Sequence, residues 1–113
     1  MRAIDLDTEL NALGMPFILI GYPTKAPAYP YGIYLENLNV TGDDTGLRRI
    51  TEHSVTIELY HNTAPGLLAA CGVLEKWLND NALDYRREMT YVVDEGHFVA
   101  IFNLDYVTKS KKG

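Results

Sequence analysis

Ser54-Val-Thr-Ile-Glu-Leu-Tyr60 runs almost directly into Thr63-Ala-Pro-Gly-Leu-Leu-Ala-Ala-Cys71, and that junction decides how the chain folds. In the first stretch Val55, Ile57 and Leu59 alternate with Thr56, Glu58 and Tyr60, the pattern of a strand with one buried face. In the second, Thr63 is an N-cap candidate, and Pro65 sits in the first turn, where its missing amide would have had no intrahelical partner. Leu67, Cys71, Leu74 and Leu78 then recur at i, i+4, i+7 and i+11. They form one apolar stripe of a helix over Thr63 to Asp80, which Trp77 widens. Asn79-Asp-Asn81 supplies residues that tolerate the left-handed conformation in which helices commonly end.

Downstream, the segments Asp84 to Val93 and His97 to Val107 alternate again around a turn at Asp94-Glu-Gly96. Phe98, Ala100, Phe102, Leu104 and Tyr106 make one face of the last strand, and Val99, Ile101 and Val107 make the other face partly apolar as well. Such a strand is expected either to be central and covered twice or to lie against another subunit, so Val99 and Ile101 are candidate interface residues. Upstream, Leu6, Leu10 and Leu13 mark a short first helix that Gly14 and Pro16 end, with Asp5 and Asp7 near its start. Phe17 to Tyr22 reads as a buried strand or extended crossing. Three prolines between Pro23 and Pro30 then require an extended loop. Tyr31 to Leu38 resumes a strand, with Tyr31, Ile33 and Leu35 on one face. The Gly, Asp and Thr content of Asn39 to Arg49 predicts an exposed hairpin loop of unusual length, and residues 108–113 a flexible basic tail. The expectation is one α+β domain over residues 1–113, with an antiparallel or mixed sheet of four to five strands packed against two helices in the order α-β-β-β-α-β-β.

The formal net charge of −5 weighs against a general nucleic-acid binder, which must replace phosphate counterions with Lys and Arg. Cys71 is the single cysteine, no secretion signal is evident, and no apolar run approaches the roughly 20 residues that span a bilayer, so a cytoplasmic, membrane-free protein is expected. His53 and His61 flank one strand, too far apart along an extended chain to share a metal ion, and the three histidines, with His97, read as surface or strand-end residues. Cys71 falls in the apolar stripe, where it is structural. The acidic pairs Asp43-Asp44 and Asp94-Glu95 lie in turns that favour acids for backbone reasons, and Gly42, Gly46 and Gly96 do not form a phosphate loop. Neither a catalytic constellation nor a cofactor is predicted. Tyr22, Tyr29, Tyr31 and Tyr34, four of the chain's eight tyrosines, gather around the proline segment. They suit a protein interface, because tyrosine gives large contact area at low entropic cost. They suit equally a sheet edge packed against its own loop.

The Pro30-Tyr-Gly-Ile-Tyr-Leu-Glu36 strand after a proline-rich stretch, the acidic Gly42-Asp-Asp44 loop, Val55-Thr-Ile-Glu-Leu-Tyr60 and the closing strand pair together resemble a family of small tailed-phage proteins. Its members are encoded among head-tail joining and tail-completion genes, and the resemblance runs from Leu6 to Val107. It implies a tail terminator or related connector subunit, not an enzyme and with no cofactor. Such subunits associate as a ring, commonly a hexamer, that caps the tail tube, stops its polymerisation and joins the head. The implied partners are further copies of the chain and the phage tail-tube and head-completion proteins, in the host bacterial cytoplasm during assembly and then in the virion tail. Neither a membrane nor sequence-specific nucleic acid binding is implied. A heterologous ring contact needs two different patches. The acidic Asp43 and Asp44 facing the basic Arg48 and Arg49, or Arg86 and Arg87, would supply them, with Tyr31 and Tyr34 as further candidate contacts. Two other readings are a nucleic-acid-binding module on a ferredoxin-like sheet, stacking bases on Tyr60, Tyr91 or Phe98, and a small-molecule regulatory domain.

Overall fold

The helices and strands follow one another in the expected order in a computed structural model that describes residues 4–19, 27–42 and 48–111. They are α1 (Leu6–Asn11), β1 (Phe17–Leu19), β2 (Tyr31–Gly42), β3 (Arg48–His61), α2 (Ala64–Asp80), β4 (Tyr85–Val92) and β5 (His97–Lys111). The strands form one mixed sheet in the order β1-β2-β3-β5-β4, parallel between β1 and β2 and antiparallel elsewhere. Because β3 and β4 each run antiparallel to β5, they are parallel to one another, and α2 is the crossover that joins them.

The cap residues explain where the helices start. Asp5 accepts from the Thr8 amide at 3.2 Å to open α1, and Thr63 accepts from the Gly66 amide at 3.1 Å to open α2. The end of α2 differs from expectation: Ala82, not an asparagine, takes the left-handed conformation, at φ 55°. The Leu83 amide donates to the Leu78 carbonyl and the Ala82 amide to that of Asn79, the paired bonds of a Schellman cap. Burial of both Leu78 and Leu83 supplies the apolar contact that accompanies such a cap and holds alanine there despite its Cβ.

Both helices cover the same face of the sheet. Leu6 and Leu10 of α1 and the expected stripe of α2 meet Phe17, Tyr34, Val55, Ile57, Leu59, Ala100, Phe102 and Leu104 in one core. The register places these strand residues side by side, with Tyr34 opposite Ile57, Ile57 opposite Phe102 and Leu59 opposite Ala100. Trp77 bridges the helices by donating to Glu9 at 3.3 Å. Glu75 ties α2 to β4, accepting from Tyr85 and from Arg87, each at 2.6 Å.

Three strands are longer than expected. The β2–β3 ladder continues to the Gly42–Arg49 pair, and the β3–β5 ladder to Arg48–Lys111. Residues 39–42 and 48–49 are therefore strand and not loop, and the basic tail is ordered into β5 as far as Lys111. Strand pairing on both sides of β3 overrides the loop-like composition of these segments. The result is a three-stranded arm in a molecule measuring 53 × 29 × 22 Å.

Candidate functional site

On the face away from the helices the sheet carries a second, smaller core. Tyr31, Ile33, Tyr60 and Val99 are buried together, with Val92 and Ile101 packed against them. The rings of Tyr31 and Tyr60 stack at 5.0 Å, and Tyr29 stacks on Tyr31 at 5.8 Å and on His61 at 5.9 Å. This cluster gives the physical reason for the two-sided apolar pattern of β5. The strand is central, between β3 and β4, and part of its second face is covered within the chain. His97 begins β5, at the strand end expected for it, but its ring packs 5.0 Å from that of Tyr60 and is buried, not at the surface. Its Nδ1 lies 3.2 Å from the Tyr29 hydroxyl. Its Nε2 lies 2.8 Å from the Glu95 carboxylate but forms no well-aligned hydrogen bond with it.

The candidate contacts separate by position. Tyr31 and Tyr34 are each only 4% exposed, and Val99 is 5% exposed, so these three offer little area to a partner; Ile101 is half-buried. Tyr34 lies on the helix face and donates to Asp7 at 2.9 Å. Burial, reinforced by that carboxylate, pushes its hydroxyl up to about 12. Arg49 is exposed on the arm opposite Gly42 and Ser110, and Arg48 begins β3 beside it. Asp43 and Asp44 lie outside the described residues, so the acidic half of the expected charge pair has no described position. Arg86 is exposed on the open face 3.4 Å from Glu88, whereas Arg87 is taken up by Glu75.

A polar cluster that no sequence spacing announces stands where the arm leaves the core. Glu36 accepts from Tyr106 at 3.1 Å and pairs with His53 Nδ1 at 3.0 Å, while His53 Nε2 meets Thr108 Oγ1 at 2.8 Å. The His53 and Tyr106 rings stack at 4.2 Å. Only strand register unites these residues, since Leu38 lies opposite His53 and His53 opposite Tyr106. On the opposite, open face of the same strands, cross-strand bonds run from Ser54 to Asp105 at 2.7 Å and from Thr56 to Asn103 at 3.1 Å. Among the described residues, no three His, Cys, Asp or Glu side chains converge as a metal site. Cys71 is buried, and that burial raises its thiol pKa above the ordinary value. No described helix is long and apolar enough to cross a membrane. Of the aromatics considered for base stacking, Tyr60 is buried and Phe98 half-buried against Tyr91, which leaves Tyr91 as the exposed ring.

The tyrosines carry a pH prediction. Burial and Glu36 raise the Tyr106 hydroxyl, the Glu75 hydrogen bond raises that of Tyr85, and Tyr34 stands at about 12. Groups whose folded values lie above their unfolded ones add stability that is complete below about pH 10 and is lost as pH rises through the folded values. Tyrosinate absorbance followed together with circular dichroism should therefore show a fraction of the tyrosines ionising only as the chain unfolds. Ionisation of every tyrosine near pH 10 with the fold intact would contradict this.

Leu68 and Val73 are exposed on α2, and most of the other exposed apolar residues lie on the arm and the outer strands. Leu38 and Val40 are 56% and 47% exposed on the helix-bearing side of β2, and Met89 and Tyr91 are exposed on the same side of β4. Patches of this kind mark surfaces that meet other proteins. No family model matches the chain, and no curated protein matches it. Among solved structures, the chain resembles one chain in the virion of a native gene transfer agent particle, with a TM-score of 0.61 and 14% identity over 92% of this chain and 87% of that one. At that identity the likeness establishes a shared fold.

Proposed function

We propose that the protein is a structural subunit of a phage or prophage virion, a tail terminator or head-tail connector whose copies form a ring, commonly of six, on the end of the tail tube. The fold shared over nearly the whole chain with a virion chain carries this reading. It agrees with the family that the Pro-Tyr strand and the Glu-Leu-Tyr strand resemble. The exposed arm and the apolar outer strands support it, because a ring subunit must present two different surfaces to its neighbours. The role is one of assembly, not catalysis, with the tail-tube and head-completion proteins as partners and the host cytoplasm as the place of assembly.

Deleting the gene from the phage or prophage that encodes it tests the reading by tail morphology. A terminator's loss should give headless tails of uncontrolled length, and a connector's loss should give tails of normal length without heads. Intact infectious particles in its absence would overturn the reading.

A further inference from the structure

We infer that copies of this chain join edge to edge, with the edge of β2 that no described strand pairs, Leu35–Gly42, taking the outer edge of β4, Tyr85–Val92, from a second copy as an antiparallel neighbour. This deepens the ring reading and rests on it. β1 pairs with β2 only as far as Tyr34, and among the described residues no strand lies along the remaining edge. The stretch from Leu35 to Gly42 has no proline or lysine and one charged residue, Glu36, so it lacks the devices that keep exposed edges from pairing. At the other side of the sheet β4 is eight residues long and, among the described residues, pairs with β5 alone.

The two edges match in direction, face and composition. β2 and β4 run in opposite directions within one sheet, so a second copy set beside the first in the same orientation brings them together antiparallel. Leu38 opposite Met89 keeps the helix-bearing faces on one side and sets Asn39 against Glu88, Asn37 against Thr90 and Leu35 against Val92. No like charges face each other in this register. It also covers Leu38 and Met89, both exposed in the single chain.

Stagger favours a second copy over an unrelated strand. Through Ala100 and Leu59, Met89 is level with Gly32 within one chain, whereas its proposed partner Leu38 stands six residues further along β2. The repeat from β2 of one copy to β2 of the next is β2-β3-β5-β4, so each added copy is displaced by about 20 Å along the strands for about 19 Å of sheet width, at roughly 3.3 Å per residue and 4.8 Å per strand. The resulting inclination of about 46° lies close to the upper end of the roughly 35–45° strand tilt at which sheets close on themselves.

Disulfide trapping in the full chain tests the pairing. Asn39→Cys with Glu88→Cys places one thiol on each edge at exposed positions, and the native Cys71, buried in the core, serves as an internal control. Mild oxidation should give a ladder of covalent multiples of the 12.7 kDa chain, with each single variant staying monomeric because no second thiol faces its own across the junction. Asn37→Cys with Arg86→Cys, out of register by four residues, should give no ladder. A ring-sized mass by light scattering without a ladder would overturn the edge pairing and leave the ring reading standing. A monomer at every concentration, with no ladder, would overturn both.

Discussion

Phe102→Ala is expected to lower the unfolding free energy by about 3–5 kcal/mol, the usual range for deleting a buried aromatic ring from a core. Phe102 is completely buried on β5, beside Ile57 on β3, with the Tyr85 ring 5.7 Å away and the α2 stripe in the same core. It is where both strand pairings of the central strand and the longer helix meet, so surrounding groups have little freedom to collapse into the space. A chain of this size has about 5–15 kcal/mol in total, so the loss would remove a large part of it. Urea unfolding should show the midpoint falling at unchanged slope, and Phe102→Leu should cost much less. A loss below about 1 kcal/mol for the alanine variant would mean that the core is not organised around this ring.

The second large effect is expected at Gly32. A Cβ built there would stand 2.5 Å from the Phe17 ring and 3.2 Å from Leu59. Phe17 lies directly opposite Gly32 in the parallel β1–β2 pair, so its ring crosses the backbone of β2 where any larger residue would stand. Gly32→Ala should cost about 1–3 kcal/mol by overpacking, and Gly32→Val more. Phe17 is the obstacle, so adding Phe17→Leu should make the double variant less destabilised than the sum of the singles. Strict additivity in denaturant melts would show that the two residues do not compete for space.

Local periodicity accounts for what the sequence made legible. The Leu67–Cys71–Leu74–Leu78 stripe is buried throughout, and Val55, Ile57 and Leu59 all face the helices, because helix and one-sided strand each repeat over a few neighbouring residues. Features set by distant partners were not legible. Asn39–Gly42 and Thr108–Lys111 carry loop-like or tail-like composition, and cross-strand pairing makes them strand. Ala82 occupies the left-handed cap because Leu78 and Leu83 are buried around it, while the asparagines before it looked better suited. At the candidate site, the apolar or aromatic character that singles out Tyr31, Tyr34 and Val99 in the sequence is one that core and interface share. Leu38, Val40, Met89 and Tyr91 could be told apart from core residues only once the ends of the strands were known.

The most direct measurement is the mass and location of the assembled protein, by light scattering of the purified chain and by electron microscopy of tails carrying a tagged copy. The expected result is a closed ring at the head-proximal end of the tail tube, about 76 kDa for six chains of 12.7 kDa. Tails that assemble with normal length and heads while the tagged protein is absent from them would contradict it.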